Sequence, residues 1–371
     1  MYIIYDARHL EDYYSGLSRY SFSVLKELIL DDEYIKLEII LNKNYDYELN
    51  PLFQQLSRLL NEKIDLVYLN APIFSLKHNI TIANYVNSTD CDLYFYPHFD
   101  MPVFIKRKTI FVIHDLFPLV LDDYVLKNAW LKKLYFKIII YVNLMKKNSH
   151  CIAVSKSTKQ DILDFFGTKF DKQIAVIYED SFSDEQEEQN REELELPSIV
   201  FHEKYLFYIG GRRKHKNLKR MIDIFQNMIE TKQFDGYFII AGSKRNFDFD
   251  VEKYIENKKR IVTLGPVSDA ELNILYEKME ALFFLSTYEG FGLPIIEAAK
   301  YNKKIITSAL GACDEIAPPS SLIIDISDEN IIIVEQVIKY LDDAREIDNE
   351  RYLEHFSWRN IVMFLTSYIE R

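Results

Sequence analysis

Short apolar runs alternate along the chain with longer amphipathic segments. Runs of about four to eight apolar residues are typical of buried parallel strands, whereas amphipathic helices repeat their apolar positions about every 3.6 residues. The predicted strands of the first half cover 2–6, 37–41, 64–69, 91–96, 109–113, 150–155 and 174–178. Its predicted helices cover 19–30, 127–147 and the segment that opens at 155–161. Strand, loop and helix in this order are typical of a doubly wound α/β domain.

The second half repeats the same alternation. Its predicted strands cover 205–209, 237–241, 261–264, 281–285, 304–307 and 321–324, and its predicted helices cover 218–231, 269–277 and the segment after Trp358. Between the halves, 181–200 is rich in Glu, Asp, Gln and Ser, which favours a linker. We therefore predict an α/β protein with two doubly wound, Rossmann-like domains, 1–180 and 201–356, as a length of 371 residues also favours.

Composition and charge limit the kinds of partner that the protein is expected to bind and the cellular compartment that suits it. The net charge of −12 makes nucleic acid an unfavourable partner. The three cysteines, Cys91, Cys151 and Cys313, form no C-x-x-C pair, so neither a disulfide framework nor a zinc site is predicted and a reducing cytoplasm fits best. We find no N-terminal signal peptide and no apolar run of the roughly 18 residues that span a bilayer.

Several candidate binding residues follow the predicted strands directly. In open α/β sheets, ligands bind outside the carboxyl ends of the strands. The residues and loops at those ends are Gly16, His114, the loop 210–216, Gly242 and the loop 289–297. We expect a cleft between the two domains to collect them.

A basic loop after the strand 205–209 is the predicted phosphate site. Gly210 and Gly211 allow a ligand to approach the backbone closely, and Arg212, Arg213 and Lys216 supply positive charge. The order of residues matches neither a Walker A loop nor a dinucleotide-binding fingerprint. A solvated basic turn is the alternative explanation.

The apolar run 281–285 predicts a buried strand, and the stretch 288–298 that follows it predicts a glycine-bent turn and a helix. Gly290, Phe291, Gly292 and Leu293 form the turn, and Pro294 suits the first turn of the helix, in which we also expect Glu297. Backbone N–H groups at such a helix start attract anions. With Glu289 and Glu297 on either side, the loop suits a ligand that carries both phosphates and hydroxyls, such as a sugar nucleotide. The alternative is a plain corner with two solvated glutamates.

His114 directly follows the strand 109–113. It could donate to a ligand, act as a general acid or base, or cap the local backbone. Asp115 could orient its ring, and His98 is a weaker candidate of the same kind. Neither histidine has a second ligand at useful spacing, so no metal site is predicted.

The helix predicted over 127–147 has a basic face that stands out in an acidic chain. It contains aromatic and aliphatic residues but no acidic ones, and its lysines are Lys127, Lys132, Lys133, Lys137, Lys146 and Lys147. A basic, aromatic-bearing helix favours peripheral contact with an anionic membrane or a lipid-phosphate acceptor. The alternative is a packing helix whose lysines are simply solvated.

Five stretches in the same order carry a family resemblance. The most specific is Glu289-Gly290-Phe291-Gly292-Leu293-Pro294 with Glu297 and Ala298, which resembles an E-x7-E motif. The others are 5–8 with 15–20, 112–118, 154–158, and 208–210 with 216–218. Together they resemble retaining glycosyltransferases of the GT4 class, which have the GT-B fold, and especially bacterial mannosyl- and rhamnosyltransferases of surface polysaccharide and O-antigen assembly.

The resemblance implies a role for each matched residue. Glu289 would hold the donor sugar, Glu297 the ribose hydroxyls, and the N–H groups of 291–293 the sugar and phosphate. Lys216 and an arginine, Arg212 or Arg213, would neutralise the diphosphate. Gly16 would allow close approach to the diphosphate, and His114 would contact the sugar. Related chains often carry Pro-Arg where Lys214 and His215 stand, which leaves the choice of arginine open.

The resemblance also implies an activity and a fold. The first domain would bind the acceptor, the second would bind the nucleotide sugar, and the last helix, about 357–371, would cross back to the first domain. The reaction would transfer a hexose with retention, without metal or cofactor, with mannose from GDP-mannose preferred and UDP- or dTDP-sugars as alternatives. The acceptor would be a lipid-linked or growing glycan at the inner face of the cell membrane. A nucleotide-sugar epimerase, a phosphorylase-like enzyme and a non-catalytic sugar-binding protein are the competing hypotheses.

Overall fold

The computed structural model describes residues 1–12, 15–31, 36–120, 129–182, 195–243 and 250–370. The chain forms two compact units. The first comprises Met1–Glu179 together with Phe356–Arg371, and the second comprises Asp180–His355. Each unit is built around its own parallel sheet, and each is described separately below.

The first unit is an α/β domain with a seven-stranded sheet. The strands are β1 (Tyr2–Asp6), β2 (Lys36–Asn42), β3 (Ile64–Leu69), β4 (Leu93–Tyr96), β5 (Thr109–Ile113), β6 (Ser149–Ala153) and β7 (Ile174–Val176). The helices are α1 (Gly16–Leu30), α2 (Pro51–Ser57), α3 (Leu76–Ser88), α4 (Phe117–Val120), α5 (Ala129–Leu144) and α6 (Lys156–Phe166). All strand pairs are parallel, in the order β3-β2-β1-β4-β5-β6-β7.

Burial and capping explain these elements. Every residue of β4 and β5 is buried, as expected for central strands covered on both faces. Helix α1 begins at Gly16, three residues earlier than the periodicity predicted, because the Ser15 side chain accepts a hydrogen bond from the Ser18 N–H and caps the first turn.

The final helix, α15 (Arg359–Glu370), belongs to the first unit. Trp358, just before it, packs edge-to-face on Tyr20 of α1 with ring centroids 5.4 Å apart. At the other end, the Lys108 ammonium donates to the Ile369 carbonyl at 3.2 Å. The predicted return of the last helix to the first domain is therefore confirmed.

The second unit has a six-stranded parallel sheet in the order β10-β9-β8-β11-β12-β13. Its strands are β8 (Tyr205–Ile209), β9 (Tyr237–Ala241), β10 (Ile261–Thr263), β11 (Ala281–Phe284), β12 (Lys304–Ser308) and β13 (Leu322–Ile324). The helices are α7 (Ile199–His202), α8 (Leu218–Glu230), α9 (Val251–Ile255), α10 (Asp269–Lys278), α11 (Leu293–Lys300), α12 (Ala312–Ile316), α13 (Asn330–Leu341) and α14 (Glu350–Leu353).

The predicted fold class, two doubly wound Rossmann-like domains, is confirmed. Several details differ from the sequence predictions. The helix predicted over 127–147 is α5, Ala129–Leu144, because the chain turns at 145–148 before β6. The helices that were not predicted are α2, α3, α4, α7, α9, α12, α13 and α14. Most of the predicted linker, 183–194, lies outside the described residues, and helix α7 already begins within 195–200.

Two glycines allow the ends of β8 and β9 to approach closely. Gly242 has φ +111°, and a Cβ built on it would lie 2.5 Å from the Gly210 carbonyl oxygen. Gly210 itself has φ +151° and donates its N–H to the Ala241 carbonyl at 3.2 Å. The loop that follows β8 therefore takes its path only because residue 242 has no side chain.

We predict that Gly242→Ala destabilises the second unit by roughly 1–3 kcal/mol, because it combines a left-handed backbone with a backbone clash. Denaturant unfolding measures this change. Gly211→Ala is the matched control: its added Cβ would meet no atom within 4 Å, so the expected change is within about 0.5 kcal/mol. Equal stability of the two variants would contradict the prediction.

Candidate functional site

The candidate site of the second unit lies at the carboxyl ends of β8 and β11. These strands are neighbours, and the strand order reverses between them, because β9 and β10 lie on one side and β12 and β13 on the other. Such a topological switch point leaves a crevice where open α/β sheets bind ligands. The basic loop follows β8 and the glycine-bent loop follows β11, so both predicted motifs lie at this position.

Hydrogen bonds tie the two loops to each other. The carbonyl of His215 accepts from the Thr287 N–H at 2.7 Å, from the Ser286 hydroxyl at 3.0 Å and from the Thr287 hydroxyl at 3.1 Å. Asn217, held at φ +54°, donates its side-chain amide to the Leu285 carbonyl at 3.1 Å. Because all four hydrogen bonds end on main-chain carbonyl oxygens, they fix the backbones of the two loops against each other.

Lys216 and Glu289 form the ion pair at the centre of the site. The Lys216 ammonium lies 2.6 and 2.7 Å from the two carboxylate oxygens of Glu289. The side chains are 20% and 11% exposed, so the pair is only partly screened by water. The sequence assigned one residue to the phosphate and the other to the sugar, and the structure brings the two together.

The two arginines of the basic loop have different environments. Arg212 is buried and forms an ion pair with Glu252 of α9, whereas Arg213 is half-buried. Lys216 and Arg212 are thus each compensated by a carboxylate within the unit. An incoming anion would have to compete with these carboxylates.

Glu297 is held inside the unit. It is 8% exposed, and one of its carboxylate oxygens accepts a hydrogen bond from the Tyr276 hydroxyl at 2.5 Å. Tyr276 in turn stacks on Tyr301, with ring centroids 5.9 Å apart. The alternative of two solvated glutamates is wrong, since Glu289 and Glu297 are both largely buried.

Helix α11 starts as predicted but places Glu297 differently. The helix begins at Leu293, and Pro294 lies in its first turn. Glu297 is the fifth helical residue, so the expectation that it lies in the first turn is wrong. Gly292 precedes the helix with φ +106°, a conformation that favours glycine, while Phe291 is buried and Gly290 shows no positive φ.

Gly16 and His114 belong to the first unit. A Cβ added to Gly16 would meet no atom within 4 Å, so packing gives no reason for a glycine there. His114 has both ring nitrogens engaged: Nδ1 lies 2.9 Å from the Glu179 carboxylate, and Nε2 lies 2.8 Å from the Pro97 carbonyl oxygen. Its ring also meets Tyr20 edge-on at 4.5 Å.

Two acceptors around one imidazole favour its doubly protonated form. Burial alone would lower the pKa of His114, but the hydrogen bond and charge of Glu179, together with the Pro97 carbonyl, outweigh burial and raise that pKa above 6.5. Both ring nitrogens of His114 are thus already occupied by acceptors. Its predicted contact with a sugar would require one of these two hydrogen bonds to open.

Helix α5 presents lysines beside exposed apolar side chains. Lys132 and Lys137 are exposed and Lys133 is half-buried. The large exposed apolar residues on and just after the helix are Trp130, Leu131, Leu134, Ile138, Tyr141, Val142 and Met145. Lys127 lies outside the described residues. Lys146 is turned inward: it donates to the Pro102 carbonyl at 3.4 Å, and burial lowers its pKa to about 8.

None of the helices formed by the described residues is long and apolar enough for a bilayer crossing.

The second unit is a Rossmann-like domain with paired charges at its switch point. Residues 188–353 match the sequence profile of the family described as "Glycosyl transferases group 1". The match covers less than half of the chain, so the likeness to glycosyl transferases group 1 is assigned to the domain formed by these residues.

Among curated proteins, the chain is similar to an O-antigen chain mannosyltransferase of Salmonella typhimurium, RfbU, with 28% identity over 62% of this chain and 60% of that protein. It is also similar to O-antigen chain mannosyltransferase B of Escherichia coli, with 32% identity over 42% of this chain and 43% of that protein. The chain thus spans about 60% or less of the length of these relatives.

A solved structure of similar fold is the sucrose-phosphate synthase of Thermosynechococcus elongatus. The TM-score is 0.72 at 16% identity, and the match covers 99% of this chain and 98% of that chain. At this identity the likeness concerns the fold alone. It agrees with the GT-B class expected from the sequence.

Sequence reasoning missed three residues that shape the sites: Tyr276, Glu252 and Glu179. Each contacts a predicted residue through the fold, namely Glu297, Arg212 and His114 respectively. Glu179 had a usable signal, because it follows the short strand 174–176 at a carboxyl end of the same sheet as His114. Tyr276 and Glu252 lie on helices, and no motif marks either one.

We predict that Glu179→Gln destabilises the protein more at pH 5.5 than at pH 8.5. A histidine whose pKa is raised by folding stabilises the native state below its ordinary pKa of about 6.5, and this contribution is lost as the pH rises through the raised value. We expect a loss of roughly 1–3 kcal/mol at pH 5.5, as for hydrogen bonds to charged groups. Urea unfolding at both pH values measures it. The exposed Glu48→Gln serves as control, and a pH-independent loss for Glu179→Gln would refute the prediction.

Proposed function

We propose that the protein is a retaining glycosyltransferase of the GT4 class, which binds a nucleoside diphosphate sugar on the second unit. The Lys216–Glu289 pair carries this proposal, because it joins a phosphate-binding type of residue and a hydroxyl-binding type of residue within 2.7 Å at the switch point. Support comes from the family match over residues 188–353.

In this proposal, binding of the donor replaces the Lys216–Glu289 ion pair with contacts between each of these residues and the donor. Its diphosphate takes the Lys216 ammonium from Glu289, and the released carboxylate accepts hydrogen bonds from the sugar hydroxyls. As the sugar–phosphate bond breaks, negative charge grows on the departing phosphate, where a cation fixed in advance lowers the barrier. Arg213, with Arg212 behind it, adds charge to the same loop. The leaving phosphate takes the proton of the acceptor hydroxyl, so the new bond forms on the face that the nucleotide leaves.

The other predicted donor contacts keep their assigned roles within this proposal. Glu297, positioned by Tyr276, binds the ribose hydroxyls. Gly210, Gly211 and Gly242 leave room for the phosphates, and the start of α11 directs N–H groups toward them. Charge on the diphosphate is balanced by these side chains and N–H groups, with no metal at the phosphates.

We propose mannose from GDP-mannose as the transferred group. The printed names of the relatives, O-antigen chain mannosyltransferases, support this choice. They also support a growing or lipid-linked glycan of a surface polysaccharide as the acceptor. UDP- or dTDP-sugars are the alternatives that a ligand panel separates.

For helix α5 we propose peripheral contact with an anionic membrane. The exposed Trp130, Leu131, Leu134 and Ile138 would enter the headgroup layer, while Lys132 and Lys137 would meet lipid phosphates. This arrangement would hold the first unit beside a lipid-linked acceptor.

We predict that Lys216→Ala lowers turnover of the sugar donor on the order of 100-fold. Removing one group that stabilises negative charge in the transition state typically slows an enzyme by about this factor. Release of GDP from GDP-mannose measures turnover, and a thermal-shift panel of GDP-mannose, UDP-glucose and dTDP-rhamnose tests the donor by mass action. Lys219→Ala, which changes an exposed lysine on helix α8 just after the loop, is the matched control. Unchanged turnover in Lys216→Ala would refute the assignment of the site.

Thermal stabilisation by a UDP- or dTDP-sugar alone would refute only the choice of GDP-mannose as the donor. Conversion of GDP-mannose to an epimer without transfer would indicate an epimerase instead.

We also predict that the full protein cosediments with vesicles containing anionic phosphatidylglycerol and not with vesicles of phosphatidylcholine alone. The triple variant Lys132→Ala, Lys133→Ala, Lys137→Ala should lose most of this binding, at about 1 kcal/mol for each lysine near the surface. Lys43→Ala, Lys63→Ala and Lys232→Ala together give a control of equal charge change, since these exposed lysines border β2 and β3 or lie in the second unit. If both triple variants bind as the parent protein does, helix α5 is not the contact.

A further inference from the structure

A buried polar cluster occupies the switch point of the first unit. Strands β1 and β4 are neighbours, and the strand order reverses between them. After β1 the chain makes a 3₁₀ turn, Arg8–Glu11, which contains His9. After β4 come His98 and Asp100. The cluster is therefore the counterpart, in the first unit, of the site described in the second.

Two imidazoles and one carboxylate meet in this cluster. The Nδ1 atom of His98 lies 2.5 Å from Oδ1 of Asp100, and Nε2 of His9 lies 4.0 Å from the same oxygen. One potential ligand atom from each of the three residues lies within 4.8 Å of the other two. The side chain of Asp100 is fully buried, that of His9 is 7% exposed and that of His98 is 17% exposed.

The charges of the cluster are unbalanced. Asp6 forms a two-point ion pair with Arg8, through Nε at 2.8 Å and Nη2 at 2.7 Å. Asp100 forms no ion pair with a lysine or arginine within the described ranges. Its Oδ2 atom is buried and has no hydrogen-bond partner among those same residues. A buried carboxylate with one unsatisfied oxygen is costly, and a bound cation would remove that cost.

We propose that His9, His98 and Asp100 bind a divalent transition-metal ion of the zinc type. Two imidazole nitrogens and a carboxylate oxygen are a ligand set that zinc and its neighbours accept, whereas magnesium prefers oxygen ligands alone. In a tetrahedral zinc site, neighbouring ligand atoms lie roughly 3.3 Å apart. The observed separations of 2.5 and 4.0 Å bracket that value. Three protein ligands leave one position for water or a hydroxyl group.

Neighbouring side chains already support these ligands. The Tyr96 hydroxyl lies 3.0 Å from both Nε2 of His9 and Oδ1 of Asp100. Nε2 of His78 contacts the Asp100 carbonyl oxygen at 2.8 Å, and Nδ1 of His78 lies 3.0 Å from Arg8. Metal ligands are usually oriented by an outer shell of this kind. To coordinate, His98 and His9 would direct the lone pairs of Nδ1 and Nε2 at the ion, with the proton on the other ring nitrogen. The His98 and Asp100 ligand atoms would also separate from 2.5 Å to roughly 3.3 Å.

The test is metal binding by the full-length protein, purified without a histidine tag and stripped with a chelator. Cobalt(II) is titrated and followed by visible absorption, and zinc(II) is titrated by calorimetry. We expect one ion per chain and a cobalt spectrum typical of four or five ligands. His98→Gln and Asp100→Asn should each weaken binding at least tenfold. Magnesium should not compete at equal concentration.

Two controls test whether metal binding is specific to this cluster and whether each variant is folded. His202→Ala removes an exposed histidine of the second unit and should leave cobalt binding unchanged. Far-UV circular dichroism shows whether each variant is folded, and His9→Ala gives a further ligand variant if one of the others is not. Absence of binding, or equal cobalt binding by the parent protein, His98→Gln and Asp100→Asn, would overturn the proposal. The cluster would then be a hydrogen-bonded network balanced by a proton. No sugar nucleotide enters this experiment, so its outcome is independent of the proposed transferase activity.

Discussion

Parallel strand pairing is the constraint on which both units depend. When every strand of a sheet points the same way, the loops that follow the strands gather at one edge, and a reversal of strand order opens a crevice there. Both sheets obey this rule, with reversals at β1/β4 and β8/β11. Lys216 and Glu289 meet at one reversal, and His98 and Asp100 follow a strand of the other. Both proposed sites of this chain therefore lie where the backbone topology leaves room for a ligand.

Compensated charge is the second common feature. Lys216 is paired with Glu289, Arg212 with Glu252, and His114 with Glu179, and most of these side chains are largely shielded from water. A ligand at such a site replaces one partner of a pair rather than meeting an isolated charge, so part of its binding energy is spent on separating that pair. In return, the cation is already ordered and needs little rearrangement when charge develops on the ligand. Asp100 is the exception, since it has no cationic lysine or arginine partner in the described part of the chain.

Local patterns identified most strands and both loops of the second unit, because apolar runs, glycine turns and helix starts are encoded within a few residues. Strand β5 and helix α15 match their predictions closely. Helix α13 was missed because its start, Ile331-Ile332-Ile333-Val334, is β-branched and resembles a strand. The Tyr276–Glu297 bond and the His9–His98–Asp100 cluster were beyond local reasoning. Their members come together only through the sheet order, and no short motif records that order.

The first unit is assembled from two separated parts of the chain, and this has a consequence for its biosynthesis. Residues 1–179 cannot bury Tyr20 against Trp358, or place Lys108 on the last turn of α15, until residues 356–370 have left the ribosome. The whole second unit, 180–355, is made in the interval and can fold as a continuous segment. The ring of Tyr20 also contacts His114. The surroundings of this histidine are therefore completed only after the second unit has been translated.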